Sequence, residues 1–211
     1  MQQLSQSKLI FWDFDGVIKD SVEVKTHAYV KLFQPFGSVV AKRVREHHEA
    51  HGGMSRFDKF PLYLQWAGEE PSQSRVSEFC DQFSQVVLQG VIDAPWVAGV
   101  EDYLRSNRHK QTFVLVSATP QDELEQILHA LDLTKCFAEV FGAPTYKKDA
   151  IRMTLAARGL DPRDCLMIGD ARADLEAAEA NQVPFLLRKH ETNTNVFADY
   201  TGPSVKDFTA L

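Results

Sequence analysis

Apolar residues along this chain fall into a few short, unbroken runs, and long stretches with a helical period lie between them. Leu9-Ile10-Phe11-Trp12 is such a run, stopped abruptly by Asp13-Phe14-Asp15-Gly16. It reads as a strand buried on both faces whose C-terminal end opens into a turn. Four similar runs follow: Thr112 to Val116 ending at Ser117, Ala138 to Phe141 ending at Gly142, Cys165 to Ile168 ending at Gly169-Asp170, and Pro184 to Leu187 ending at Arg188. Between them Leu124, Ile127, Leu128 and Leu131 recur at i, i+3, i+4 and i+7, and Ile151 with Leu155 repeats one helical face. Strands alternating with helices predict an α/β fold, a Rossmann-like parallel sheet with helices on both faces.

The stretch from about Val22 to Gly90 breaks the alternation, because its helical patterns have no strand between them. Val76, Phe79, Cys80, Phe83, Val86 and Val87 form the clearest amphipathic helix of the chain. The expected organisation is a core of residues 1–19 and 93–211, with residues 20–92 inserted after the first strand as a small α-helical cap. Gly16 to Asp20 and Ile92-Asp93-Ala94-Pro95 would be the two linkers. The tail beyond Arg188 reads as polar loop followed by one short last element.

Composition narrows the function classes. In 211 residues, 44% hydrophobic and 25% charged positions are those of a folded, soluble domain, and a formal net charge of -6 has the wrong sign for a nucleic-acid-binding surface. No run of apolar residues is long enough to span a membrane, and the start of the chain lacks a signal-peptide core. Cys80, Cys136 and Cys165 are odd in number and widely spaced, fitting neither a disulfide framework nor a zinc site. A cytoplasmic protein, monomer or homodimer, is expected.

Ligands on open parallel sheets bind beyond the carboxyl ends of the strands, so the polar residues closing each run should converge. The first strand supplies Asp13 and Asp15, the second Ser117, and the fourth Asp170 with Asp174 four residues later, while Lys147 and Lys148 open the helix after the third. Carboxylates crowded together repel one another unless a cation sits among them, and an all-oxygen set selects a hard ion such as Mg²⁺. A lysine and a hydroxyl beside that cation complete a pocket for a dianion, with phosphate the obvious candidate.

The ordered set Asp13-Phe14-Asp15-Gly16-Val17-Ile18, Ser117, Lys147 and Gly169-Asp170-Ala171-Arg172-Ala173-Asp174 resembles the haloacid dehalogenase superfamily, in its phosphatase and β-phosphoglucomutase-like branch with a helical cap. Pro95-Trp96-Val97-Ala98-Gly99-Val100 is similar to the segment by which such proteins re-enter the core. The resemblance implies Asp13 as nucleophile and Asp15 as general acid and base. It implies Mg²⁺ held by Asp13, the Asp15 main-chain carbonyl and Asp170, and phosphoryl oxygens held by Ser117, Ala118 and Lys147. Asp174 would orient Lys147 or a metal-bound water. An acidic residue at position 15 favours phosphate esters over haloacids or phosphonates. The expected activity is therefore Mg²⁺-dependent hydrolysis of a small phosphorylated metabolite, such as a sugar phosphate, through an aspartyl phosphate. A sugar phosphomutase and a non-catalytic binding protein are the alternatives; where the close mutases have a histidine, this chain has Lys25.

Several positions keep two readings. Spacing to Ile151 favours Lys147 over Lys148. Thr119-Pro120-Gln121-Asp122 looks like a helix start with Thr119 as its cap. Gly52-Gly53-Met54-Ser55-Arg56 is similar to a cap loop reaching the site, so that Arg56 would grip a second phosphate or a carboxylate; alternatively Ser55 caps a helix and Arg56 is solvated. Lys25 and His27 either line the cap or sit on a surface helix. His47, His48 and His51 are read as polar cap surface rather than zinc ligands, and His109, His129 and His190 as core or surface.

Overall fold

Leu9–Trp12, the first strand β1, is apolar at every position and wholly buried, the signature of a strand covered on both faces. The computed structural model describes residues 2–209. Here β1 lies at the centre of a six-stranded, all-parallel sheet of order β3-β2-β1-β4-β5-β6, with β2 Thr112–Pro120, β3 Glu139–Ala143, β4 Cys165–Gly169, β5 Phe185–Arg188 and β6 Ser204–Val205. Leu9 to Trp12 pair residue by residue with Thr112 to Leu115 on one side and Cys165 to Ile168 on the other.

The helices, in chain order, are α1 Gln2–Gln6, α2 Val22–Phe33, α3 Ser38–Ala50, α4 Arg56–Trp66, α5 Gln73–Asp93, α6 Val100–Ser106, α7 Gln121–Ala130, α8 Lys147–Arg158 and α9 Arg172–Ala180. Strand residues alternate between two cores, as the period of two requires. Ile10, Trp12, Phe113, Leu115, Leu166 and Ile168 pack with Val100 and Leu104 of α6 and Leu124, Ile127 and Leu128 of α7. Leu9, Phe11, Val114, Val116, Cys165 and Met167 pack with Ala150 and Ile151 of α8 and with Leu175 and Ala178 of α9. Four helices, α2 to α5, occupy the stretch between β1 and α6, around an aromatic cluster of Tyr29, Phe33, Phe60, Tyr63, Phe79 and Phe83.

The two segments joining these helices to the sheet pair with each other. Asp20 N–H donates to Pro95 O and Val97 N–H to Ile18 O, and the Lys19 ammonium donates to Ile92 O while lying 4.4 Å from the Trp96 ring centroid. β2 runs longer than its apolar run suggests, through a register shift between Val116 and Pro120. Thr119 therefore belongs to the strand, and Pro120 rather than Thr119 precedes the first turn of α7. The strand order reverses between β1 and β4, and in such sheets that crevice receives ligands.

Candidate active site

Asp13 and Asp15 follow β1, Ser117 lies in the last part of β2, Lys147 opens α8, and Asp170 follows β4. All five line one cavity of about 60 Å³ together with Ala118 and Thr119, and Lys25, Tyr29, His48, Gly52, Gly53, Met54, Arg56, Lys59 and Phe83 of the helical insert close it from the other side. Two glycines permit the close approaches. Gly16 has φ +76°, and a Cβ there would lie 2.2 Å from Asp170 Oδ2; a Cβ on Gly53 would lie 2.7 Å from that of Ala173.

The floor is a buried charge network. Lys147 Nζ lies 2.7 Å from Asp13 Oδ1 and 2.5 Å from Asp174 Oδ1. Asp174, fully buried, also accepts the backbone N–H groups of Asp170 at 3.2 Å and Ala171 at 3.0 Å, so its carboxylate fixes both the lysine and the turn that carries Asp170. Lys147 lines the cavity, whereas the adjacent Lys148 is exposed. Burial, then repulsion from Asp174, pushes the Asp13 carboxyl up to about 7 despite Lys147. Burial also raises Asp170 and Asp174. Burial alone would favour a neutral Lys147, but Asp13 and Asp174 outweigh it and hold the ammonium protonated.

Carboxylate oxygens of Asp13, Asp170 and Asp174 lie within 4.8 Å of one another. Three carboxyls against one lysine, all oxygen donors, fit a hard divalent cation. The Asp15 carboxyl turns away from this cluster. It accepts Ser21 Oγ–H at 2.6 Å, the Lys25 ammonium, and Thr119 Oγ–H at 3.3 Å, while Lys25 also donates to Thr119 Oγ1 at 2.8 Å. Burial would raise the Asp15 carboxyl, but Lys25 and the hydrogen bonds outweigh it and hold it below the ordinary carboxylate range. Ser117 Oγ accepts the Thr119 N–H at 3.1 Å, which leaves its own proton free for a ligand.

Other expectations need correction. Arg56 is not solvated: buried at the start of α4, its guanidinium makes a fork with Glu123 of α7, at 2.8 and 2.7 Å, and donates to Ser84 of α5 at 2.6 Å. A carboxylate of the core thus already pairs with the charge that was expected to meet a ligand. Ser55 is the cap of α4, accepting Phe57 N–H at 3.3 Å. His48 is buried against Lys59 and Tyr29 rather than displayed on a surface. His190 and Asn193, in the loop after β5, carried no sequence signal of a site. His190 Nε2 lies 2.8 Å from Asp170 Oδ2 and Asn193 Nδ2 donates to Asp170 O at 2.9 Å, so this loop holds the Asp170 turn from behind. Among the described residues, no helix is long and apolar enough to cross a membrane.

Residues 10–187 match the haloacid dehalogenase-like hydrolase family. The chain belongs to this family. As a haloacid dehalogenase-like hydrolase it is 25% identical over 188 residues to phosphoglycolate phosphatase 1 of Pseudomonas aeruginosa, covering 82% of this chain and 66% of that one, so it spans about two thirds of that relative's length. Its fold is that of β-phosphoglucomutase from Clostridium difficile, with a TM-score of 0.75, 18% identity, and 97% and 93% of the two chains covered. It is equally that of CbbY from Rhodobacter sphaeroides in complex with xylulose-(1,5)bisphosphate, with a TM-score of 0.78, 13% identity, and 97% and 96% covered.

Proposed function

We propose that this hydrolase is a Mg²⁺-dependent phosphatase of small organic phosphate monoesters. The observation that carries the reading is the buried Asp13–Lys147–Asp174 chain at the base of a small cavity, with Asp170 beside it and Asp15 two residues from Asp13. Residues 20–92 are the cap that closes this cavity. The similarity to a phosphatase among the relatives supports the reading.

Asp13 is the nucleophile: one of its carboxylate oxygens attacks phosphorus, and the ester oxygen leaves with the electron pair of the broken P–O bond. Asp15 donates a proton to that leaving oxygen and then takes one from the water that cleaves the aspartyl phosphate. In the free protein Lys25 keeps Asp15 ionised, whereas a phosphoryl dianion placed beside it favours its protonated form. Lys147 and the Ser117 hydroxyl, with the backbone around Ala118, hold phosphoryl oxygens. Asp13, Asp170 and the Asp15 carbonyl would hold Mg²⁺, which neutralises the repulsion between an anionic nucleophile and an anionic ester. Asp174 acts by fixing Lys147. Lys25, standing where the close mutases have a histidine, is engaged with Asp15 and Thr119, which favours transfer to water over transfer to a second sugar hydroxyl.

The deciding experiment measures inorganic phosphate released from a panel of phosphorylated metabolites, with Mg²⁺, with chelator, and with Asp13→Asn. Turnover that vanishes in both controls is expected. Turnover that survives Asp13→Asn, or silence across the panel with isomerised sugar phosphates, would overturn the reading.

A further inference from the structure

Lys59 stands on α4, three residues beyond Arg56, and lines the same cavity as Asp13, Ser117 and Lys147. It is 0% exposed. Its hydrogen-bond partner is not an acid but His48, whose Nδ1 lies 2.7 Å from the ammonium, and the Tyr29 ring centroid is 5.4 Å away. Among the described residues no carboxylate stands within ion-pair distance of Lys59. The other cations of the cavity are all matched: Lys25 with Asp15, Lys147 with Asp13 and Asp174, Arg56 with Glu123.

Burial and the neighbouring Lys25 push the Lys59 ammonium well below its ordinary range, and burial and Lys59 do the same to the His48 imidazole. His48 meets one polar position of the Lys59 amine and leaves its remaining N–H without a hydrogen-bond partner among the described residues. An uncompensated ammonium in an aromatic surround of Tyr29 and Phe83 is costly unless an anion arrives to meet it.

We propose that Lys59, aimed by His48, is a specificity-determining subsite for a second anionic group on the substrate, a carboxylate or a phosphate, so that the protein selects small phosphate monoesters bearing a second anion over neutral ones. This inference rests on the phosphatase reading and names its substrate class. The phosphoryl group is held from the strand ends and the second anion from α4, so one ligand bridges the two sides of the cavity. About 60 Å³ of space, against the several hundred of ordinary ligand pockets, favours a short spacer between the two charges. Arg56 and Lys25 already have carboxylate partners, Glu123 and Asp15, whereas Lys59 has none among the described residues.

The test compares wild type with Lys59→Met on three esters: 2-phosphoglycolate, 1,3-propanediol bisphosphate and the neutral 2-hydroxyethyl phosphate. Wild type should prefer at least one dianion-plus-anion substrate, and Lys59→Met should lower kcat/KM on it about a hundredfold while leaving the neutral ester nearly unchanged. The better of the two anionic esters identifies the second group as carboxylate or phosphate. A thermal melt at or above that of wild type shows that the variant folds. No anionic preference in wild type, or an equal loss on all three esters, overturns the proposal. If wild type hydrolyses none of the three, the phosphatase reading is what fails for this class. Calorimetric binding of 2-phosphoglycolate to Asp13→Asn then decides the subsite: affinity weakened tenfold or more by added Lys59→Met upholds it, and binding that is absent or indifferent to Lys59 overturns it.

Discussion

At the floor of the cavity, Asp13 and Asp174 flank a single lysine with the Asp170 carboxyl close by; at the roof, Lys59 meets only a histidine and aromatic rings. The floor has more buried carboxyls than basic groups, and the roof has a buried amine with no carboxyl beside it. Neither arrangement is one that maximises the stability of an isolated protein, since removing charges from water is repaid only by close partners. Each wall is short of the charge that a metal-bound, doubly anionic phosphate ester would bring. The seam between them is different in kind: Arg56 and Glu123 complete each other without a ligand, bidentate and buried, and tie α4 to α7.

The same substitution should therefore have opposite signs on the two walls. Lys147→Met strands Asp13 and Asp174 as unpaired buried carboxyls, and a loss of about 3–5 kcal/mol is expected at neutral pH in thermal or denaturant unfolding. Lys59→Met removes an unpaired buried ammonium and replaces it by an apolar chain of similar length, so the melting temperature should hold or rise. Matching losses in both variants would break the comparison, because they would show Lys59 to be as well compensated as Lys147.

A smaller effect sharpens the account of the floor. His190 and Asn193 hold the side chain and carbonyl of Asp170, the groups that set where a metal-binding oxygen points. His190→Ala should weaken Mg²⁺ about 10–100-fold, read from the Mg²⁺ dependence of phosphate release or of melting temperature, with far less change once the metal saturates. An unchanged Mg²⁺ titration would remove the loop after β5 from the site.

The two walls also differ in how far the sequence announced them. The five strands and the polar residues that close them follow from unbroken apolar runs, so the positions of Asp13, Asp15, Ser117 and Asp170 at one sheet edge follow from local pattern. Lys147 and Lys148 are separated only by helix phase, which turns one toward the sheet edge and the other to solvent. Thr119 reads locally as a helix cap, but the register shift in β2 carries the strand past it and turns its hydroxyl to Asp15 and Lys25. His190 lies just beyond the end of β5, where the strand-end rule applies, yet its partner is 20 residues away and no periodicity marks it. The roof had a quieter signal. His48 shares a helix stripe with Ala41 and Val44, and Lys59 lies three and four residues from the buried Arg56 and Tyr63. A charged or titratable residue on an otherwise buried stripe is the clue, and it needs the tertiary partner before it acquires a chemical meaning. Arg56 shows the converse: a motif pointed to it, and Glu123, distant in sequence, claimed it.

The smallest expected effect is also the most specific to the floor. The Asp13 carboxyl is pushed by burial up to about 7, well above its ordinary 3.8. A group whose pKa is raised by folding binds its proton more tightly in the native state, so its contribution to stability is complete below the ordinary value and is lost as pH rises through the folded one. In chelator, wild type should thus lose stability relative to Asp13→Asn between about pH 4 and 7, a gap of a few degrees in melting temperature that levels off above pH 8. Added Mg²⁺ should close that gap from the wild-type side, because a divalent cation beside Asp13 and Asp170 stabilises the ionised form that burial disfavours. A difference between the two proteins that stays flat with pH in chelator would mean that Lys147 already compensates Asp13 in full, and the contrast between an anion-rich floor and a cation-bearing roof would then rest on Asp170 and Asp174 alone.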